Sequence, residues 1–214
     1  MTTQFNFEGW CFSVRSVAPM GRFPADCCYK ELGERSVVDD LLSALGHDLR
    51  QCCVDSVPTG QDPTDVVVKN GNALIGVEVV ELIDEVWLQL EIRHRLQIGQ
   101  HFDCQEIVKR RVKPLSEKEE RLRIQLEFPD HNRIVAILLK LINKKSSKLL
   151  KWKCDYTQRW LAIHTDQFLP YQSEQVWNTL LMPANDFDQI TLLLPYLGSE
   201  DGTGTRQVLM WRKE

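Results

Sequence analysis

The feature that most constrains the fold is a pair of β-branched runs joined by an Asn-Gly turn. The run 65–69 (DVVVK) and the run 73–80 (ALIGVEVV) are separated only by Asn70, Gly71 and Asn72. Valine and isoleucine favour strands, and Asn-Gly readily adopts the left-handed backbone that a tight hairpin turn requires. The sequence therefore predicts two antiparallel strands here, as part of a larger sheet.

Helical and strand periodicities follow one another along the rest of the chain. Helices are predicted over 31–48, 82–98, 133–152 and, briefly, 173–181, and strands over 49–57, 122–128, 160–165, 190–196 and 208–211. Residues 1–30 have no clear period and receive no assignment, and 58–63 (PTGQDP) is typical of a turn. This order predicts an α/β fold, a central mixed sheet flanked by helices, in a single domain over 1–214.

Composition narrows the functional classes. The N-terminus lacks the basic start and apolar run of a signal peptide, and no stretch approaches the roughly 18 apolar residues of a membrane span, so we expect a soluble cytoplasmic protein. The seven cysteines are odd in number and lack CxxC spacing, which argues against zinc sites and a disulfide framework. With a net charge of −4, any nucleic-acid contact must depend on local basic patches, such as 140–153 or 109–113.

Two carboxylates stand out near the hairpin. Asp65 opens its first strand, and Glu78 lies inside the second strand between valines. A charged residue in an apolar strand is costly unless it is paired or binds a metal. Mg²⁺ commonly takes one or two protein carboxylates together with water and phosphate oxygens, so Asp65 and Glu78 are sufficient for a site of that kind.

This segment resembles the PD-(D/E)xK nuclease-like superfamily, which has the restriction-endonuclease-like fold. The resemblance covers about 31–165 in element order, and Asp65 and Glu78 as motif residues. It implies that both carboxylates are catalytic and bind Mg²⁺ or Mn²⁺, with Glu81 or Glu34 as further ligands. The motif lysine should stand two residues after Glu78, where this chain has Val80.

Some members of the superfamily carry this lysine on a following helix, and the predicted helix 133–152 offers candidates. At about 100° per residue, Lys145 falls in the middle of its apolar stripe and Lys148 at the boundary. Both are therefore candidate catalytic residues. The solvent-facing lysines of this region are candidate nucleic-acid contacts: Lys140, Lys144 and Lys151. The alternative is that 143–147 (NKKSS) breaks the helix and leaves every one of these lysines in water.

Three functions remain open at this point. The first is a divalent-metal-dependent nuclease that hydrolyses phosphodiester bonds, with DNA as the expected substrate. The second is a catalytically degenerate nuclease-fold protein that binds nucleic acid or a protein partner through the lysines of 140–153. The third is an interaction protein whose carboxylates only cap strands.

Overall fold

A computed structural model of the chain describes residues 3–7, 10–17, 30–57, 64–98, 113–127, 131–149, 151–152, 154–165, 177, 180–197 and 205–214. These parts form a mixed β-sheet flanked by helices, in agreement with the predicted α/β class. The elements in chain order are β1 (Thr3–Phe7), β2 (Trp10–Val17), α1 (Lys30–Ala44), β3 (Cys52–Ser56), β4 (Val66–Asn70), β5 (Ala73–Glu81), α2 (Glu85–Gln97), α3 (Glu117–Glu127), α4 (His131–Leu149), β6 (Gln158–His164), β7 (Gln189–Leu197) and β8 (Thr205–Lys213).

The eight described strands lie in the order β1-β2-β8-β7-β6-β5-β4-β3. Strand β5 is antiparallel to β4 on one side and parallel to β6 on the other. The connection from β5 to β6 contains α2, α3 and α4. Strand β5 is therefore the place where the antiparallel meander β3-β4-β5 meets the parallel strands β6 and β7.

The predicted hairpin is confirmed. Asn70 pairs with Ala73, so that Gly71 and Asn72 form the two-residue turn. Gly71 has φ of 57°, a left-handed value that a glycine adopts without steric cost. The predicted helix 31–48 is likewise present as α1, although it ends earlier, and the backbone N–H of His47 donates to the carbonyl of Leu42 beyond that end.

Strand alternation divides the apolar core between the two faces of the sheet. On one face, α1 packs against residues that include Val77 and Val79 of β5. On the other face, α4 contributes Ile134, Leu138 and Ile142 to a second cluster with residues of β6 to β8. Glu78 alternates with Val77 and Val79, so its side chain leaves β5 on the α4 face.

The predicted strand 122–128 is wrong, because residues 117–127 form helix α3. Ser116 and Glu119 form a capping box there: the Ser116 hydroxyl accepts the Glu119 backbone N–H at 3.3 Å, and the Glu119 carboxylate accepts the Ser116 N–H at 2.9 Å. Leu122 and Leu126 also fit helical spacing, and Leu126 is the buried member of the pair.

Part of the unassigned N-terminal segment is also regular, since it contains β1 and β2. The turn over 58–63 lies outside the described residues, as do six of the nine residues of the predicted helix over 173–181. Within the described parts of the chain, no helix is long and apolar enough to cross a membrane.

Candidate metal and nuclease site

The start of β4 brings Asp65 against the middle of β5. The register pairs Val66 with Val77, so Asp65 is opposite Glu78 and shares its face of the sheet. The Asp65 backbone N–H donates to the Val77 carbonyl at 3.1 Å, and its Oδ2 accepts the Val79 N–H at 2.8 Å. The carboxylate of Asp65 is thereby fixed beside the segment of β5 that carries Glu78.

Thr64 adds to this attachment. Its side chain is buried, and its hydroxyl donates to the same Val77 carbonyl at 3.3 Å. Sequence reasoning did not single out Thr64, since a threonine before a strand is a common residue with no chemical signature. Its role here is to hold the backbone that carries Asp65.

Glu78 is a buried acid with one satisfied and one unsatisfied oxygen. The residue is 3% exposed. Its Oε1 accepts a hydrogen bond from the Lys145 ammonium. Its Oε2 is buried and has no hydrogen-bond partner in the part of the chain that the structure describes. An unpartnered carboxylate oxygen in such a place is costly, and a cation or a hydrogen-bond donor bound there would offset that cost.

Burial raises the pKa of Glu78 above its ordinary value. The hydrogen bond from Lys145 opposes this effect, the Asp65 carboxylate adds to it, and the charges of Lys145 and Lys148 lower the pKa again. Because the charges of Asp65 and Lys148 both shift the pKa of Glu78, both side chains lie near the Glu78 carboxylate. The site therefore combines two neighbouring carboxylates with two lysines.

Helix α4 supplies both lysines and continues without a break through 143–147, as far as Leu149. Lys145 follows Leu138 by two turns and Ile142 by one, and these two residues are fully buried against the sheet. That spacing directs Lys145 toward the sheet, where its side chain is only 14% exposed. The arrangement predicted for Lys145 from the helical angle is the one that the structure has.

The remaining predicted residues are exposed to solvent or lie on the other face of the sheet. Four lysines are exposed: Lys140, Lys144, Lys148 and Lys151. Exposure was predicted for all of them except Lys148, which was placed at the boundary of the apolar stripe. Glu81 is exposed and alternates to the α1 face of β5, and Glu34 belongs to α1 itself. The structure thus places Glu81 and Glu34 on the face opposite Glu78 and does not bring them to the Glu78 carboxylate.

Two aromatic side chains, Trp152 and Tyr156, pack against Gly76 of β5 on the α4 face. A Cβ added to Gly76 would lie 2.6 Å from Cζ3 of Trp152 and 2.9 Å from Cδ2 of Tyr156. The rings of Trp152 and Tyr156 meet edge to face, with centroids 5.2 Å apart. Gly76, two residues before Glu78, is the sequence signal for this close approach.

The donor set suits a hard divalent cation. Among the described residues there is no cluster of three or more histidine, cysteine, aspartate or glutamate side chains with metal-binding geometry. Mg²⁺ often uses only one or two protein carboxylates, and the unpartnered Oε2 of Glu78 beside Asp65 provides such a pair. Asp65 and Glu78 therefore fit the ion that the nuclease resemblance implies.

Comparison of the chain with models of known protein families, with curated protein sequences and with solved structures gives no match in any of the three. The residues and geometry of this chain are therefore the basis for any function assigned to it.

Proposed function

We propose that this protein is a divalent-metal-dependent nuclease of restriction-endonuclease-like fold that hydrolyses phosphodiester bonds, with DNA as its substrate. The observation that carries the proposal is the contact of Lys145 with Glu78, in a chain that has Val80 at the motif-lysine position. Lys145 of α4 thus places an ammonium next to Glu78, where the superfamily has its motif lysine.

In this proposal Asp65 and Glu78 hold Mg²⁺ or Mn²⁺. A bound divalent cation polarises a phosphoryl oxygen and generates a stronger water nucleophile at neutral pH. Asp65 is kept in place through the Val79 N–H, and Glu78 through Lys145. Since Glu81 and Glu34 belong to the opposite face, we assign them no ligand role.

Lys145 is the proposed catalytic cation. Its ammonium is held in one place by Glu78, and a pre-positioned charge can orient a water molecule or stabilise the negative charge that develops on phosphate. Lys148, three residues later, is exposed but near enough to influence Glu78. This position suits a contact with the substrate phosphate next to the reacting bond.

The exposed lysines Lys140, Lys144 and Lys151 suit contacts with the phosphate backbone farther from the reaction. The net charge of −4 makes these local charges necessary, because the whole-molecule field repels a polyanion. Contacts of this kind add affinity without sequence preference, and salt weakens them.

A cleavage assay on the full chain tests the proposal. Single- and double-stranded DNA and RNA would be incubated with the protein in Mg²⁺, in Mn²⁺ and in a chelator. Cleavage of DNA that requires the metal is expected, with loss of activity in Asp65→Ala and Glu78→Ala. Lys140→Ala is the matched control, and it should reduce only substrate binding, in a salt-dependent way.

Absence of cleavage on all four substrates, in a protein that still binds Mn²⁺, would contradict the enzymatic proposal. The alternative would then be a catalytically degenerate nuclease-fold protein that binds nucleic acid or a protein partner. Absence of both cleavage and metal binding would favour the third function, in which the carboxylates cap strands, as Asp65 does for the Val79 N–H.

A further inference from the structure

The α4 face of the sheet has a covered part and an open part. The apolar cluster on this face includes residues of α4, β6, β7 and β8, and none of the described residues of β3 or β4 belongs to it. Valines of β3 and β4 instead pack with α1 on the opposite face. The residues that alternate with these valines form what we call the open face: Cys53, Asp55, Val67 and Lys69. Three of them are exposed and Val67 is half-buried.

The proposed metal site lies at the border between the two parts. On one side, Glu78 is opposite Leu161 of β6, which belongs to the covered cluster. On the other side, Asp65 leads into β4, whose Val67 and Lys69 share its face of the sheet. Because the cluster with α4 fills the side of β6, a substrate that reaches the two carboxylates approaches over the open face.

Helix α4 directs exposed lysines toward the open face. Successive residues of a helix are turned by about 100°, so Ser146 lies about 100° from Lys145 in one direction. Lys148 lies about 60° from Lys145 in the other direction, and Lys144 about 100°. Ser146 lines a cavity together with residues of β2 and β8, which lie on the far side of β6 and β7 from β4. Lys144 and Lys148 are therefore on the side of β4 and β3.

Lys69 lies on the open face at the opposite side from these lysines. Its side chain is 58% exposed, and its ammonium is 3.5 Å from Oδ2 of Asp55, which is 54% exposed. An ion pair between two exposed groups contributes little to stability, so Lys69 can exchange Asp55 for a phosphate with little loss. Lys69 is four residues after Asp65, roughly 13 Å along a strand. That distance equals about four nucleotide steps of 3.4 Å each.

We infer that a DNA strand lies across the open face, between α4 and β4, and that Lys69 binds one of its phosphates a few nucleotides from the reacting bond. The inference rests on the proposed function, since Asp65, Glu78 and Lys145 give the position of the reacting phosphate. Charge complementarity supports it, because exposed lysines lie on both sides of the strand, Lys69 on β4 and two others on α4. Lysine binds phosphate as a point charge.

Binding of a short fluorescent DNA strand, alone and in duplex, tests the inference. Anisotropy titrations of the full chain in a chelator, at several NaCl concentrations, give the affinity and its salt dependence without cleavage. Each lost phosphate contact lowers the slope of log affinity against log salt by about 0.7–0.9. In Lys69→Gln we expect that loss of slope, and an affinity lower by about five- to eightfold at about 0.1 M NaCl.

Three further variants separate a phosphate contact from a structural role. Lys69→Arg keeps the charge and should bind like the wild type. Asp55→Asn should raise the affinity, because it removes a negative charge beside Lys69. Lys118→Gln removes an exposed lysine of α3 and is the matched control, with affinity and slope unchanged.

Wild-type affinity and slope in Lys69→Gln would overturn the inference, as would a wild-type protein that binds neither the single strand nor the duplex. The cleavage assay decides the nuclease proposal separately. Metal-dependent cleavage together with unchanged binding in Lys69→Gln would refute only the position of the strand. Weakened binding in Lys69→Gln without any cleavage by the wild type would support the binding surface and refute only the enzymatic proposal.

Discussion

In the proposed function, Lys145 takes the role of the motif lysine, and Val80 occupies the position of that lysine in the sequence. Val80 stands where the nuclease-like pattern has lysine, and its side chain packs against the apolar cluster on the α4 face. Lys145 reaches Glu78 from that same face, through a helix position that the surrounding leucines and isoleucines keep directed inward. A burial of this kind is costly for a lysine unless it has a charged partner, and Glu78 is that partner.

Replacing Lys145 tests its catalytic role at the residue scale. In Lys145→Ala we expect DNA cleavage to fall by about 10²- to 10³-fold, because a positioned charge near the reacting phosphate is lost. The affinity for Mn²⁺ should not fall, because Glu78 loses the cation with which it is paired. Single-turnover cleavage rates at saturating Mn²⁺ measure the effect.

Lys144→Ala is the control for Lys145→Ala, because it removes the neighbouring charge from the exposed side of the same helix. Its single-turnover rate at saturating DNA should equal the wild-type rate. Equal rates in wild type and Lys145→Ala would show that Lys145 only neutralises Glu78 and takes no part in hydrolysis.

At the scale of elements, α4 is held at both ends by contacts outside its apolar stripe. Near its start, Arg133 donates to both oxygens of Asp84, at 2.6 Å and 3.1 Å. Asp84 is the N-cap of α2 and also accepts the N–H groups of Val86 and Trp87. Beyond its end, Trp152 packs on Gly76 of β5. These contacts fix α4 relative to β5 and so position Lys145 against Glu78.

Gly76→Ala tests the contact beyond the C-terminal end of α4. The new Cβ would lie 2.6 Å from Trp152, so the indole must move, and we expect the free energy of unfolding to fall by about 1–3 kcal/mol. Cleavage should fall as well, because the displaced Trp152 follows the turn that contains Lys148. Urea unfolding and the cleavage rate measure the two effects.

Gly33→Ala is the matched control, since it makes the same chemical change inside α1, where nothing lies within 4 Å of the added Cβ. It should stabilise the protein by about 0.5–1 kcal/mol through helix propensity. A Gly76→Ala protein as stable as wild type would contradict the close packing of Trp152 on β5.

Asp84→Asn tests the contact near the N-terminal end. Burial raises the pKa of Asp84, but the hydrogen bonds from Arg133, Trp87 and Val86 lower it further, so the net pKa is below the ordinary value of 3.8. The resulting stabilisation is present above pH 3.8 and is lost as the pH falls through that value toward the folded-state pKa. Asparagine keeps the N-cap but removes the charge.

At pH 7 we therefore expect Asp84→Asn to lower the free energy of unfolding by about 1–2 kcal/mol, since Arg133 is partly exposed and solvent screens the pair. Near pH 3 the difference should be smaller than at pH 7, because the pH is then below the ordinary pKa of 3.8. Chemical unfolding at both pH values measures it. Asp55→Asn, which breaks an exposed pair with Lys69, should change stability little at either pH. A pH-independent loss in Asp84→Asn would exclude the charge as its cause.

The sequence was informative for elements whose signals are local. Asn70 and Gly71 predicted the hairpin, and the apolar stripe of α4 predicted that Lys145 faces the sheet. The segment that became α3 has alternating apolar residues that also fit a helix, and the capping box at Ser116 decides in favour of the helix. Leu122 and Leu126 fit strand alternation and helical spacing equally well. The spacing of apolar residues alone therefore could not distinguish a strand from a helix.

At the scale of the whole molecule, the parts that could not be predicted depend on distant partners. Strand β2 pairs with β8 from the other end of the chain, and no local pattern in 10–17 specifies that pairing. The pairing of Gln189 in β7 with Arg212 in β8 likewise exists only once these two strands are adjacent. Glu34 was predicted as a ligand without knowledge of which face α1 covers, and only the assembled sheet separates it from Glu78. Strand alternation alone separates Glu81 from Glu78, because β5 continues to Glu81.

Helix α4 concentrates positive charge in a chain whose net charge is −4. Helix α4 carries Lys145 inward and Lys140, Lys144 and Lys148 outward, so one element combines the proposed catalytic cation with proposed phosphate contacts. In the proposed function this helix lies opposite a carboxylate pair, Asp65 and Glu78, that binds a divalent cation.

Calorimetric titration of the full chain with Mn²⁺ measures whether this pair holds the cation. We expect one site per chain in the wild type, loss of binding in Asp65→Asn and Glu78→Gln, and retained binding in Lys145→Ala and in the control Glu81→Gln. The unpartnered Oε2 of Glu78 is the reason to expect the loss in Glu78→Gln. A wild-type protein without Mn²⁺ binding, or binding that survives both Asp65→Asn and Glu78→Gln, would show that Asp65 and Glu78 do not hold the cation.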